Sequence, residues 1–227
     1  KELVRRFATP EVAQDLQQSG FALGGKRVEA TVMFSDIRDF TPLSATQPPE
    51  ETIELLNNYY ALMFDAIGSH GGVVTLMLGD GLMAIFGAPL TLPDHAHSAV
   101  RAALEMVDLF SQQRKTEGKP GIRIGIGIAT GQMVAGYAGT IDRATYTCIG
   151  ETVNLAARIE AHTKVAQRAI LIDAATRSGL LQRVEVEPLQ VKAWLDAGED
   201  FSFIDVRTPE ELAIASIAGA EPLDFQN

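Results

Sequence analysis

The sequence of 227 residues is poor in cysteine, in basic charge and in long apolar runs. Its single cysteine, Cys148, excludes an internal disulfide and fits a reducing compartment, so a cytoplasmic location is expected. No apolar run reaches the roughly 18 consecutive residues that a membrane-spanning helix needs. The first residues, 1–6, include neither an initiator methionine nor the apolar core of a signal peptide, which indicates a piece of a longer protein.

Basic residues are outnumbered, since 19 Lys and Arg stand against 29 Asp and Glu, for a formal net charge of −10. Non-specific nucleic-acid binding needs patches of Lys and Arg that displace counterions, so this charge argues against it. A polyanionic small ligand would need local cations or a metal ion in order to bind. Hydrophobic residues make up 46% of the chain, which is enough for a packed core and argues against global disorder.

Strand and helix patterns alternate along most of the chain. Helical spacing and helix-start residues predict helices over 10–18, 48–70, 93–117 and 151–163, and apolar runs predict strands over 28–37, 121–131, 133–137, 144–148 and 169–172. Two further apolar runs flank Gly79-Asp80-Gly81, which predicts a hairpin. This order predicts a layered α+β or α/β fold, in which helices pack on a sheet.

Two aspartates stand at the ends of predicted strands. The run VMFSDIRDF (32–40) carries Asp36 after a buried apolar stretch, and Asp80 lies at the tip of the hairpin. If the strands are neighbours, both carboxylates reach one edge of the sheet and could bind a pair of Mg²⁺ ions. Gly79 and Gly81 would let the backbone approach phosphate oxygens closely. Two plainer interpretations stay open here, Asp36 as a local cap and Asp80 as an ordinary turn residue.

The run GIRIGIGIATG (121–131) alternates strictly between two faces. Isoleucines occupy one face, and Arg123, Gly125 and Gly127 occupy the other. The isoleucine face belongs in a core. Because the glycine face has no side chains, we expect another backbone or a ligand to approach it closely.

The run YTCIGETVNLAARIE (146–160) predicts a strand followed by a helix. Asn154 and Arg158 are four residues apart, so they share one helix face. An amide and a guanidinium together suit the stabilisation of a phosphorane-like transition state or the orientation of a ribose oxygen. On spacing alone, a surface helix with both side chains in water is the favoured interpretation. Cys148 follows Thr147 on the strand, so it is expected to face the opposite side as a small core residue.

Taken together, four motifs resemble the class III adenylate/guanylate cyclase catalytic domain. They are FSDIRDFT (34–41), LGDGLMAIFG (78–87), GIRIGIGIATG (121–131) and YTCIGETVNLAARIE (146–160), in the family's order and at compatible separations. The resemblance covers residues 20–185, with 1–19 as a helical lead-in. It implies an α+β fold of the ferredoxin-like or palm type, with a mixed, mainly antiparallel sheet and helices packed on it.

The resemblance implies an enzyme that converts ATP to 3′,5′-cyclic AMP and pyrophosphate with two divalent metal ions, Mg²⁺ or Mn²⁺. The implied metal ligands are the carboxylates of Asp36 and Asp80 and the backbone carbonyl of Ile37. The implied nucleotide and phosphate contacts are Phe40, Thr41, Gly79, Arg123 and Lys192. By the same resemblance, Asn154 orients the ribose and Arg158 stabilises charge on the α-phosphate.

The family builds each site from two subunits. One subunit supplies the metal ligands, and the other supplies the asparagine and arginine. The resemblance therefore implies a head-to-tail homodimer with two composite sites, and an inactive monomer.

Base selection in the family rests on two positions, here Leu76 and Thr147. Thr147 matches a bacterial and soluble-type subgroup of adenylate cyclases, and its hydroxyl could accept a hydrogen bond from the adenine amino group. Leu76 stands where adenylate cyclases usually have Lys and guanylate cyclases have Glu, and leucine can replace neither hydrogen bond. We therefore expect an adenylate cyclase with relaxed base selectivity. The alternative is a non-catalytic cyclase-homology module that binds nucleotide or partners, and a guanylate cyclase is disfavoured.

The C-terminal segment, 186–227, has a second resemblance. Residues 188–223 are similar to the opening of a rhodanese-like domain, with a helix, the strand DFSFIDVR and the helix start TPEE. No cysteine follows Cys148, so sulfurtransferase activity is excluded for this chain. The segment alone is too short to build a core. It could instead be partly disordered or supply strands that complete the cyclase sheet.

Overall fold

The computed structural model describes residues 9–117, 122–183, 201–205 and 221–222. The helices are α1 (Pro10–Ser19), α2 (Phe40–Thr46), α3 (Pro49–Ser69), α4 (His95–Glu117), α5 (Glu151–Ala166) and α6 (Ala174–Arg183). The strands are β1 (Gly24–Ile37), β2 (Gly72–Met77), β3 (Gly81–Phe86), β4 (Ile124–Gly139), β5 (Ala144–Ile149), β6 (Ile170–Ile172), β7 (Phe201–Asp205) and β8 (Glu221–Pro222).

One mixed sheet organises these elements, in the order β2-β3-β1-β4-β6-β7-β8, with β5 paired to the far part of β4. Strand β1 is central and runs antiparallel to both β3 and β4. Its ladder with β4 is continuous from the Gly24–Tyr137 pair to the Ile37–Ile124 pair. Strands β6 and β7 join in parallel. The α+β prediction, with a mainly antiparallel mixed sheet and helices packed on it, is confirmed.

Strand β1 buries both of its faces, in agreement with its long apolar run. Met33 and Ile37 point to a core shared with α3, α4 and α6, and the isoleucines of β4 face the same side. Ala30 and Val32 point to a second core, shared with α1 and α5. Because side chains alternate along a strand, Asp36 lies on the second face, the side that α5 covers.

The glycine face of β4 is where α5 packs. A Cβ atom on Gly127 would lie 2.5 Å from the Ala156 carbonyl oxygen and would also clash with the Glu160 backbone nitrogen. A Cβ on Gly125 would lie 2.6 Å from the Thr163 hydroxyl oxygen. The close approach expected on this face is therefore confirmed, and the approaching group is the backbone of a helix.

Three features differ from the sequence predictions. Residues 133–137 were expected as a separate strand, but they continue β4, because Gly131 stays paired with Ala30 in the β1 ladder and does not break it. Helices α2 and α6 were not predicted. With seven and ten residues, they are too short for an apolar stripe to repeat several times.

The C-terminal prediction is only partly within the described residues. The strand expected at 201–206 is present as β7, and Phe201 pairs with Ile170 of β6. Residues 184–200 and 206–220, which hold most of the rhodanese-like resemblance, lie outside the described residues. Among the helices in the described ranges, none combines the length and the apolar character required to span a bilayer.

Candidate active site

Two carboxylates lie side by side at one edge of the sheet. Asp36 pairs across the ladder with Gly81, the residue that follows Asp80. The backbone nitrogen of Ile37 donates to the Asp80 carbonyl oxygen at 3.0 Å, which fixes the hairpin tip beside the end of β1. The structure therefore places Asp36, Ile37 and Asp80 close together, as the sequence predicted.

The charges around Asp36 compete. Partial burial and then the charge of Asp80 raise the pKa of Asp36, whereas Lys164 lowers it through a hydrogen bond and its positive charge. The Lys164 Nζ lies 3.3 Å from Asp36 Oδ2. Two nearby oxygen-donor carboxylates that repel each other form the kind of donor set that suits a hard divalent cation.

Helix α3 holds the hairpin in place. The Tyr60 hydroxyl donates to the carbonyl oxygen of Gly79 at 2.7 Å and, at 3.3 Å, to that of Gly81. Gly79 has a φ of 81°, a conformation that disfavours other residues, so the tight tip needs glycine here. Next to Tyr60, the buried Tyr59 hydroxyl donates to the Ser35 hydroxyl of β1 at 3.3 Å.

The proposed phosphate-binding residues lie beyond the end of β1. Phe40 and Thr41 begin α2, directly after Asp39, whose φ of 57° makes a left-handed turn. Arg123 Nη2 donates to Asp39 Oδ2 at 2.8 Å, and both side chains are largely exposed. Lys192, the remaining predicted phosphate contact, lies outside the described residues.

A basic cavity opens beside this turn, with a volume of about 440 Å³. Its charged lining includes one acidic residue, Asp39, and four basic residues, Arg38, Arg123, Lys164 and Arg168. A chain with a net charge of −10 thus concentrates cations at this place. The cavity meets the requirement, stated from composition, that a polyanion needs local cations.

Asn154 is near the start of α5 and Arg158 is in its middle. Both contact Glu151, since the Asn154 Nδ2 donates to Glu151 Oε2 at 3.4 Å and Arg158 forms an ion pair with Glu151 Oε1. The shared face predicted from their spacing is therefore present. Asn154 lies ten residues before Lys164 on the helix, which corresponds to about 15 Å along its axis. The described chain does not bring this pair to its own carboxylates.

The two base-selecting positions are on strands that contact each other without pairing. Leu76 is on β2 with 42% of its surface exposed, and Thr147 is half-buried on β5, opposite Gly136. Strands β2 and β5 contact each other, so both positions belong to one region of the surface. Cys148 faces the core as expected, and burial raises the pKa of its thiol to about 12.

Sequence reasoning missed Asp39, Glu160 and Lys164 as neighbours of the site. Burial, followed by the charge of Asp36, raises the pKa of the Glu160 carboxyl to about 7. Glu160 and Lys164 are four residues apart, which in the sequence signals only an ordinary helix pair. Their proximity to Asp36 depends on the close packing of α5 over the glycine face, and spacing along the chain does not reveal it.

Comparisons with known proteins agree with this geometry. The family profile described as "Adenylate and Guanylate cyclase catalytic domain" matches residues 25–195. "Adenylate cyclase 1" of Rhizobium meliloti is 35% identical over 195 residues, which cover 83% of this chain and 28% of that protein. The chain therefore spans well under a third of the length of this relative.

Solved structures with both activities in their names are similar to the chain. The adenylyl cyclase CyaB from P. aeruginosa gives a TM-score of 0.64 at 36% identity, covering 70% of this chain and 84% of that one. The guanylyl cyclase Cya2 gives a TM-score of 0.62, also at 36% identity, covering 69% of this chain and 80% of that one. Similarity at this level does not separate the two nucleotides.

Proposed function

The chain belongs to the adenylate and guanylate cyclase catalytic domain family, and from this premise we propose that it is an adenylate cyclase that converts ATP to 3′,5′-cyclic AMP and pyrophosphate. One observation carries the proposal. Asp36 at the end of β1 and Asp80 at the hairpin tip between β2 and β3 lie together at the sheet edge beside a basic cavity. A cap or a turn residue would need neither the second carboxylate nor the neighbouring cations.

The residues present fit divalent metal ions. Asp36 and Asp80 would hold them, with the Ile37 carbonyl as a further oxygen ligand, and oxygen is what Mg²⁺ and Mn²⁺ prefer. The proximity of the two carboxylates supports this assignment, since burial and then the charge of Asp80 raise the pKa of Asp36. When bound, such ions supply charge neutralisation for the triphosphate and make the ribose 3′-hydroxyl more acidic.

The chain's own residues would position the nucleotide. Arg123 would break its hydrogen bond with Asp39 and donate to a phosphate oxygen instead. The backbone N–H groups of Phe40 and Thr41 would also donate to phosphate oxygens. In the same way Arg158, now paired with Glu151, would stabilise the charge that develops on the α-phosphate.

A composite site is part of the proposal. Asn154 lies about 15 Å and Arg158 about 9 Å along α5 from Lys164, the residue that contacts Asp36, and both side chains contact Glu151 instead. This placement supports a site to which a second chain supplies the asparagine and the arginine. A head-to-tail homodimer provides both halves twice, since every chain carries each half.

Adenine selectivity rests on Thr147 in this proposal, with Leu76 contributing no hydrogen bond. One missing hydrogen bond to the base changes binding by about 0.5–1.5 kcal/mol when water can replace it. The exposure of Leu76 is consistent with access of water to that position. We therefore expect ATP to be preferred over GTP, but weakly.

The first experiment supplies the purified chain with Mn²⁺ and either ATP or GTP, and quantifies both cyclic nucleotides. Cyclic AMP in excess of cyclic GMP is expected. Neither product would favour the non-catalytic cyclase-homology module, whereas cyclic GMP alone would make the protein a guanylate cyclase. Leu76→Lys should then raise the ratio of cyclic AMP to cyclic GMP, and an unchanged ratio would mean that position 76 does not face the base.

A second experiment separates composite sites from sites within one chain. Two tags allow purification of heterodimers that carry Asp36→Ala in one chain and Arg158→Ala in the other. Such a dimer keeps one intact composite site and should have about half of the wild-type activity.

The matched control places both substitutions in one chain and pairs it with a wild-type chain. Composite sites predict no activity for this dimer, because each site then contains one substitution. Sites within one chain predict no activity for the first dimer and about half of the wild-type activity for this control dimer. The two arrangements contain the same substitutions, so a general loss of stability affects both alike.

A further inference from the structure

A lysine from the same chain contacts one of the proposed metal ligands. Lys164 is in the last turn of α5, and its Nζ lies 3.3 Å from Asp36 Oδ2. The Asp36 side chain is 24% exposed and that of Lys164 is 54% exposed, so the pair is more protected than an ordinary surface ion pair. The ammonium group thus holds the oxygen that a metal ion would need.

Other charged groups surround this cation. In addition to burial, the charge of Asp80 raises the pKa of Asp36, and the charge of Asp36 raises the pKa of Glu160. Three acidic side chains are therefore close together. The guanidinium of Arg38 is also near, and its strongest charge interaction is with Glu160. Among the described contacts, Lys164 is the basic side chain that donates a hydrogen bond to Asp36.

Lys164 also has a second acceptor available. Glu160 precedes it by four residues and therefore lies on the same helix face. The Glu160 Oε1 is buried and has no hydrogen-bond partner among the described atoms. A rotation of the lysine side chain away from Asp36 would place its ammonium near this oxygen.

We propose that Lys164 is a positioning residue that acts as a resident counter-ion of Asp36, which a divalent metal ion must displace in order to bind. This inference rests on the proposed function, because it takes Asp36 as a metal ligand. Lys164 lowers the affinity of the site for metal, and its positive charge balances the negative charge of the acidic side chains when no metal is bound.

The test measures binding of Mn²⁺ alone, without nucleotide, by isothermal titration of the whole chain. Exposed ion pairs change an equilibrium by about 1.4- to fivefold, and the partial burial of Asp36 puts this pair in the upper part of that range. Lys164→Met should therefore bind Mn²⁺ about three- to fivefold more tightly than wild type. Lys164→Arg keeps the charge and should stay close to wild type. Equal or weaker binding by Lys164→Met would overturn the proposal.

Lys26→Met is the matched control for net charge. Lys26 is exposed on β1, ten residues before Asp36, which corresponds to about 33 Å along an extended strand. This distance exceeds several Debye lengths at physiological ionic strength. The control should bind Mn²⁺ with the affinity of wild type. Tighter binding by both Lys26→Met and Lys164→Met would show that net charge alone causes the change in affinity, and this would overturn the inference.

Thermal unfolding without and with metal gives a second readout. In EDTA, Lys164→Met should unfold at a lower temperature than wild type, because Asp36 has lost its counter-ion. With saturating Mn²⁺, its gain in unfolding temperature should exceed that of wild type. A lysine with a merely structural role would lower the unfolding temperature equally in both conditions and leave the gain from Mn²⁺ unchanged, which would contradict the inference.

The outcomes also separate this inference from the proposed function. Asp36→Asn should abolish Mn²⁺ binding, and failure to do so would remove the premise of both. If Lys164→Met binds Mn²⁺ more tightly but wild type makes no cyclic nucleotide, the counter-ion role stands and the enzymatic proposal fails. If wild type makes cyclic AMP but the affinities are equal, only the counter-ion role fails.

Discussion

The packing of α5 against bare backbone makes a quantitative prediction at Gly127. Its backbone has an ordinary conformation, so a substitution there tests space and not strain in φ. An added Cβ would lie 2.5 Å from the Ala156 carbonyl oxygen and would clash with the Glu160 backbone nitrogen. Neither atom is at the end of a flexible side chain, so the helix itself has to move away from the sheet.

Overpacking of a core typically costs about 1–3 kcal/mol, and we expect Gly127→Ala to lie at the upper end because backbone atoms yield least. In a domain of this size each kcal/mol lowers the unfolding temperature by about 2–4 °C. The variant should therefore unfold about 5–10 °C below wild type, as followed by circular dichroism at 222 nm. Its cyclase activity should also fall, since α5 carries Asn154 and Arg158.

Gly68→Ala provides the control. Gly68 is in α3, and a Cβ there would meet nothing within 4 Å. Because alanine favours helix by about 0.5–1 kcal/mol over glycine, this variant should unfold slightly above wild type. An unfolding temperature of Gly127→Ala within about 1 °C of wild type would refute the packing argument, since it would mean that α5 moves at no cost.

Three further predictions follow from other contacts. Asp39→Asn keeps a side chain that tolerates the left-handed turn but frees Arg123, so the KM for ATP should fall by about two- to five-fold in initial-rate assays; an unchanged KM would mean that Arg123 does not bind the nucleotide. Cys148 should resist iodoacetamide in the folded protein at pH 8 and react fully in urea, because burial raises its pKa to about 12; rapid labelling of the native protein would contradict its burial. Burial lowers the pKa of His95 below its ordinary 6.5, so protonation favours the unfolded state. The free energy of unfolding should therefore decline as the pH falls below about 6.5. His95→Gln should flatten this decline, and an equal slope in both proteins would show that another group causes it.

The sheet and its two aspartates were predictable because their signals are local. Strict alternation in residues 121–131 identified one face as core and the other as a contact surface, since side chains alternate with a period of two. The Asp-Gly turn placed Asp80 at a hairpin tip, and the apolar run before Asp36 placed that residue at a strand end. The resemblance to the cyclase family then connected the motifs.

The parts that escaped prediction depend on distance in space. Lys164 reaches Asp36 across 128 positions of sequence, and only the docking angle of α5 decides which of its turns meets the carboxylate. Asp39 pairs with Arg123 because two chain segments end at the same sheet edge. The break expected before residue 133 failed for a similar reason, because the ladder with β1 outweighs the local tendency of Gly131 to interrupt a strand.

The continuous ladder between β1 and β4 also limits how the family can vary in length. One residue inserted or deleted inside β1 would exchange its two faces, turning Asp36 toward the core of Ile37 and presenting an apolar side chain to α5. A deletion within residues 140–143, where the chain turns between β4 and β5 with Ile141 80% exposed, would leave that alternation intact. Length changes among relatives should therefore accumulate at such turns, and a coding-frame-preserving deletion library should recover active variants there and none within 30–37.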